Sequence, residues 1–295
     1  MVEKIKIHAD DFGMNNEITD NILSCIHHGT VNSVSIVNNT PGFEYAAGKY
    51  KNSPTPFRIC LHLNLVEGSP VSCVKDVPLL VDHTKEFKYT FLSLWLTSFF
   101  FSSKKKKKLN DQIRLEIYNQ LKKFVIAFPE IKTICIDSHT HVHMLPFVMD
   151  NIIQVAKMQK IDTIRNPHEA FYFCRDDLPH YFSLNIIKKV LLNFLSNKQK
   201  LKISSNGIST NDRFIGVIAT GKMTTKSVNA ALKKEKDPLI KSIEILFHPG
   251  GIQKKASAIW TNKEIFKSYY ASCNRKREAA ILKSDTFKKM INYYM

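Results

Sequence analysis

Two adjacent carboxylates, one histidine in an apolar strand pattern and a run of alternating histidines are the residues of this chain best suited to chemistry. Asp10 and Asp11 follow an alternating stretch, residues 2–9, in which Ile5 and Ile7 share a face. Neighbouring carboxylates at the end of a buried strand repel each other and resist desolvation, and a bound cation relieves both. Capping the next helix is the plainer alternative. In residues 58–65, Ile59, Leu61, Leu63 and Leu65 alternate with Cys60, His62 and Asn64, which puts His62 on the polar face. A lone histidine there is ordinarily a hydrogen-bonded core residue; beside an Asp pair it reads as a ligand. The third group is residues 132–143, where Ile134 and Ile136 open a strand that ends in His139, His141 and His143. If the extended backbone continues, Asp137 and all three imidazoles point one way. That row suits a borderline metal, and it equally suits histidines satisfied in a core or idle on a surface.

The elements that must position these residues alternate between strand and helix. Residues 17–28 carry a stripe of Ile18, Ile22, Leu23 and Ile26 with Gly29 after it, and read as a helix. Strands follow at 31–38 and 58–65, with a short helix at 43–50 between them. Residues 67–109 lose the pattern and read as a long excursion. An amphipathic helix at 112–128 stops at Pro129, and a helix at 147–158 follows the histidine run. Further strands are expected at 162–165, 214–217 and 243–247, a helix at 181–194 and a helical tail at 263–294. Such alternation implies an α/β fold with a parallel sheet. Polar residues gather after the strands: Asp10 and Asp11, His62, His139, Arg165 and Glu169, His248. That is where parallel barrels and open sheets build their sites. A glycine-rich phosphate loop, an internal repeat and an interdomain linker are missing from the sequence, which favours one domain and argues against a nucleotide enzyme.

The chain has 295 residues, enough for a substantial core. Its 43 Lys and Arg outnumber 26 acidic residues, for a net charge of +17. Without a zinc-finger spacing or an RNP-like strand this charge reads as solvated surface, and nucleic acid is not an expected partner. Cys25, Cys60, Cys73, Cys135, Cys174 and Cys273 form no CxxC pair, which suggests packed, reduced thiols and a reducing, cytoplasmic setting. The first residues run straight into a strand, with no visible signal peptide. The apolar run 91–101 is about half the length of a membrane span, so no integral membrane segment is expected. Followed by the lysines at 104–108 it can lie on a membrane surface, but it reads rather as a core helix with a basic cap or a substrate-side loop. The lysine block itself reads as an exposed loop.

Taken together, these motifs resemble the YdjC/ChbG family of carbohydrate deacetylases. The resemblance runs through Ala9-Asp10-Asp11-Phe12-Gly13, Leu61-His62-Leu63-Asn64-Leu65, Asp137-Ser138-His139-Thr140-His141-Val142-His143-Met144 and His248-Pro249-Gly250. It keeps its order over nearly the whole chain, and Asn274-Arg275-Lys276-Arg277-Glu278 also looks like the family's. It implies a divergent TIM-like (β/α) barrel, one domain over residues 1–295, and a divalent metal, Mg²⁺ with Zn²⁺ as the alternative. It also implies hydrolysis of N-acetyl groups on acetylated oligosaccharides such as chitooligosaccharides, with a homodimer left open. Carried over by position, Asp11, His62 and His139 would hold the metal, Asp10 would be the general base and His248 the acid. The family's middle histidine after Asp-Ser is Thr140 here, which alternates away from the ligand face.

The chemistry fits the residue types. An acetamide is a poor electrophile and water a poor nucleophile, so a metal held by one carboxylate and two imidazoles would activate both. Asp10 can accept the water proton, and His248, if protonated, can supply the leaving amine. Asp137 can orient His139 or His141 from behind. Arg165 either pairs with Glu169 or positions a substrate hydroxyl, and His141 and His143 stand behind the metal or at the rim. Two other readings compete: a metal-dependent hydrolase of another bond, such as a phosphoester, and a silent carbohydrate- or polyanion-binding protein.

Overall fold

The computed structural model describes residues 4–235 and 237–295. The first residues of the expected opening strand lie outside that range. Seven parallel strands among the described residues curl into a TIM-like barrel: β1 (Ile5–Phe12), β2 (Ser33–Ile36), β3 (Arg58–Leu63), β4 (Cys135–Ser138), β5 (Thr163–Ile164), β6 (Arg213–Ile215) and β7 (Ile243–Phe247). Their order is β5-β4-β3-β2-β1-β7-β6, so β1 lies inside the sheet between β2 and β7, and the seam falls between β5 and β6. The seam is drawn together by the chain leading into β6. Thr163 bridges Ser209, Ile164 N–H donates to Ser209 O at 2.9 Å, and Ser209 N–H donates to Asp162 O at 2.9 Å.

Helices pack outside this ring: α1 (Asn16–His27), α2 (Phe43–Lys51), α3 (Phe91–Phe100), α4 (Ser103–Ala127), α5 (Pro146–Ala156), α6 (Leu178–Tyr181), α7 (Leu184–Ser205), α8 (Thr225–Leu232), α9 (Glu264–Tyr270), α10 (Cys273–Lys283) and α11 (Asp285–Tyr294). The stripe on α1 is buried as its spacing requires: Ile18, Ile22, Leu23 and Ile26 all face the sheet. Asn15 caps this helix by accepting the Ile18 N–H at 2.8 Å. Gly29 serves by its size, because a Cβ there would lie 2.4 Å from Cys25 O and 2.9 Å from Leu282 O.

Four sequence expectations change. The lysine block is not a loop: residues 104–108 form the exposed opening turns of α4, with Ser102 as its N-cap. The run at 91–101 is not a core helix either, because only Leu94 and Thr97 of α3 are buried. The helix expected at 181–194 starts at Leu184 and runs on to Ser205. Finally, Cys60 and Cys135 are joined as a disulfide, against the expectation of packed, reduced thiols. They stand opposite one another on β3 and β4, whose register pairs Leu61 with Ile136. The cysteines therefore give no argument for a reducing compartment.

Candidate metal centre and active site

The parallel register of β3 and β4 sets His62 directly beside Asp137. His62 Nδ1 accordingly shares a 2.6 Å hydrogen bond with Asp137 Oδ1. A carboxylate on one ring nitrogen fixes the tautomer and turns the other nitrogen outward as a ligand. His62 Nε2 is buried with no hydrogen-bond partner, and it lies 4.0 Å from Asp11 Oδ1, which is also unpartnered. His139 Nδ1 stands 3.5 Å from that same oxygen. One atom each from Asp11, His62 and His139 falls within a 4.8 Å cluster, and all three residues are buried. Buried polar atoms without partners are costly, and a divalent cation at their centre would satisfy them. On that test the residues fit a metal.

How Asp11 reaches the cluster departs from simple alternation. The register of β1 against β2 slips between Ala9 and Phe12, and Asp11 takes φ 70°. This bulge, placed at Asp11 itself, turns its carboxylate to the same side as that of Asp10. Left-handed backbone at a non-glycine residue is strained, and such strain collects at functional sites. Arg275 of α10 holds the outer oxygen, donating from Nη2 to Asp11 Oδ2 at 2.7 Å, and leaves Oδ1 free. Burial alone would raise the Asp11 carboxyl, but Arg275 and His139 hold it well below the usual range.

The histidine row does not form. β4 ends at Ser138, and Thr140 (φ 54°) and His141 (φ 60°) are successive left-handed residues in the turn that follows. This turn sends the three imidazoles to three places. His139 joins the metal cluster; its Nε2 also lies 2.9 Å from Glu67 Oε2, in a charge contact too bent for a hydrogen bond. Burial opposes protonation of His139, yet Asp11 and Glu67 lift it to about 9. His141 faces the cavity with an unpartnered Nδ1 and packs edge-on to Phe214. His143 turns back under the strand, accepting from the Ser138 hydroxyl and donating from Nε2 to Arg165 O at 2.9 Å.

Asp10 belongs to a different set. Arg165 grips it with two parallel bonds, Nη1 to Oδ2 at 2.9 Å and Nη2 to Oδ1 at 2.8 Å. The same guanidinium reaches Asp137 Oδ2 at 2.6 Å and Glu244 Oε1 at 2.5 Å. Arg165 therefore pairs with three carboxylates inside the barrel and not with Glu169. The Glu169 carboxylate accepts the backbone N–H groups of Gly216, Val217 and Ile218 instead, at 2.7, 3.1 and 2.7 Å. His8, Asp10 and Asp137 also cluster tightly enough for a metal, but Arg165 already supplies their cation and Ser33 and Ser35 occupy both His8 nitrogens. Burial raises Asp10, and Arg165 with His62 overcomes it, so this carboxylate stays ionised far below neutrality. Asp137 is held at about 2, with Arg165 prevailing over burial in the same way.

His248 follows β7 and presents Nε2 3.9 Å from Asp10 Oδ2. Its backbone N–H donates to Glu278 at 2.6 Å, and its ring meets Tyr269 edge-on. Burial pushes the imidazole down to about 4, so it is neutral at neutral pH. A cavity of about 320 Å³ opens over all of this, with Asp10, His62, His139, His141 and His248 on its floor. Asn185 and Lys188 of α7, Thr220, and Ile265, Phe266 and Tyr269 form its walls.

Several residues of this site carried no role at the level of sequence. His8 stands two before Asp10 on one face of β1, so alternation could have found it. Glu67, Arg275 and Glu278 could not be found that way, because long-range packing alone brings them in. Glu67 accepts from Trp260 Nε1 and the Tyr270 hydroxyl, both at 3.0 Å. Arg275 lies between the rings of Tyr269 and Tyr270, 4.8 and 4.9 Å from their centroids.

Known proteins share both the fold and the sequence. A crystal structure from Enterococcus faecalis V583, described as a candidate cellobiose-phosphate cleavage protein, superposes with a TM-score of 0.70 over 98% of this chain and 94% of its own, at 22% identity. A carbohydrate deacetylase of Brevibacillus brevis is 32% identical over 158 residues, which is 54% of this chain and 57% of that protein. A chitooligosaccharide deacetylase of Proteus mirabilis is 29% identical over 55% of this chain and 58% of its own length. A carbohydrate deacetylase of Xenopus laevis is 28% identical over 78% and 71%. The match thus spans under two thirds of the Brevibacillus and Proteus relatives' own length. The profile of the YdjC-like proteins matches from residue 4 to residue 293, and the chain belongs to that family.

Proposed function

We propose that this protein is a metal-dependent hydrolase that removes N-acetyl groups from acetylated sugars of the chitooligosaccharide kind. The observation that carries the reading is His62 Nε2, buried without a partner, aimed by Asp137 at the unpartnered Oδ1 of Asp11, beside His139. The names of the deacetylase relatives support the substrate class. Two imidazoles and one carboxylate form a donor set that suits Zn²⁺ better than Mg²⁺, which prefers oxygen ligands. When bound, the metal supplies Lewis acidity toward the acetyl carbonyl and the attacking water.

The chain's own residues then divide the proton work. Asp10, fixed by the two bonds from Arg165, is ionised and sits 4.0 Å from His62 Nε2, at the edge of the metal cluster. It accepts the proton of the water whose oxygen bonds to the acetyl carbon. His248 starts neutral, so the proton needed by the leaving amine as the C–N bond breaks reaches it through Asp10, 3.9 Å away. Phe266 and Tyr269 offer an apolar wall to the C–H face of a sugar ring, and Asn185 and Lys188 offer donors to its hydroxyls. A panel of N-acetylated and phosphorylated sugars tests the reading. Free acetate and no free phosphate is the expected result; phosphate without acetate would assign the site to phosphoester hydrolysis.

A further inference from the structure

The hydrolase reading leaves two neighbouring features unused, the apolar helix α3 and the lysines that open α4. α3 is set by a Thr90–Ser93 capping box and α4 by Ser102, so both helices start at fixed points with two residues between them. Leu94 and Thr97 anchor α3 inward. Its outer face presents Leu92, Leu96, Phe99 and Phe100, which are 56, 40, 62 and 79% exposed. Thr97 and Ser98 border one small cleft together with Lys106 and Leu109, so the end of α3 lies along the first turns of α4. Lys104, Lys105, Lys107 and Lys108 are exposed at its edge, and Lys105 Nζ sits 4.0 Å over the Phe101 ring. Between Lys88 and Asn110 the chain has six lysines and no acidic residue.

We infer that this apolar face with its basic rim is a peripheral docking surface for an anionic lipid bilayer. Charge complementarity selects the occupant. A run of lysines free of acidic partners is attracted to a negatively charged leaflet, at about fivefold in affinity per lysine. Exposed Phe and Leu side chains beside them gain by entering the boundary between headgroups and acyl chains. A nucleic acid would engage the lysines but leave the aliphatic side chains in water. Ten residues of α3 cannot span a bilayer, so the helix lies in the plane of the interface.

Cosedimentation with phosphatidylcholine vesicles containing about 30 mol% phosphatidylserine, beside pure phosphatidylcholine vesicles, tests the inference. The full chain should bind the anionic vesicles and not the neutral ones. Replacing the lysines at 104–108 with Ser should weaken binding about 100-fold or more, and about 0.5 M salt should do the same by screening. Phe99→Ser with Phe100→Ser, at exposed positions, should weaken binding while leaving the thermal transition in place. Phe100→Ser alone is the milder variant if the pair disturbs α3. Equal binding to neutral vesicles, or binding that survives both sets of substitutions, would overturn the inference. So would dimerisation abolished by the Phe substitutions without any lipid binding, or retention on RNA in place of vesicles.

Discussion

Asp10 and Asp11 are neighbours in the chain but answer to different cations. Asp10 is gripped by Arg165 inside the barrel, whereas Asp11 is steadied by Arg275 and turns one oxygen to His62 and His139. Asp10→Asn should therefore keep the metal and the fold while losing about 10²–10⁴-fold in rate, as expected of a lost general base. Asp11→Asn should lose metal affinity first and recover part of its activity at high metal concentration. Rescue of Asp10→Asn by added metal, with none for Asp11→Asn, would exchange the two roles. His143 makes a separate prediction. Burial lowers its pKa from 6.5 to about 4, so the folded state disfavours the protonated ring. The stability it contributes is present above pH 6.5 and is lost as pH falls toward 4. The Tm gap between wild type and His143→Gln should narrow over that window, and a constant gap would show that burial does not hold the ring neutral. At this scale the face of His62 was legible from strand alternation, whereas Asp137, expected behind His139 or His141, bonds His62 instead because the register of β3 and β4 sets the two side by side. His139 was named as a ligand through the family resemblance and does stand with Asp11 and His62, but the common direction expected of His139, His141 and His143 fails, because left-handed backbone at Thr140 and His141 breaks the alternation.

At the scale of elements, periodicity read the helices and strands well wherever one face is buried. α1 and β7 fall where their apolar pattern puts them. The pattern failed at residues 91–108 because hydrophobicity there does not mean burial: α3 keeps most of its apolar side chains outside. The lysines formed helix because Ser102 caps the turn and a strongly amphipathic stretch continues it. Replacing all five with Ser should leave the fold and the turnover of small neutral substrates unchanged. A Tm drop of many degrees, or a collapse of kcat, would show that these turns support the core or the site. α10 makes the opposite case. Arg275 is fully buried and bonds Asp11 and Gly250 O. Arg275→Met would strip the buried Asp11 carboxylate of its hydrogen-bonded guanidinium, leaving only His139 beside it, and should lower stability by about 3 kcal/mol, measurable by denaturant titration. An unchanged midpoint would show that Arg275 is dispensable.

At the scale of the whole molecule, one ring of parallel strands brings residues from positions 8 to 278 to a single mouth. β1 supplies both carboxylates, β3 and the end of β4 supply the imidazoles, and the tail helices close the far wall. The parallel alternation and the polar strand ends made this much legible in the sequence. The seam at Thr163 and Ser209, the Cys60–Cys135 bond and the reach of Glu67, Arg275 and Glu278 were not legible, since each depends on packing between distant segments. The most direct measurement is acetate release from an N-acetylated chitooligosaccharide by protein stripped of metal and then reloaded with Zn²⁺ or Mg²⁺. The account predicts no release by stripped protein, recovery on reloading, and no recovery in His62→Ala. Undiminished acetate release by fully stripped protein would contradict it.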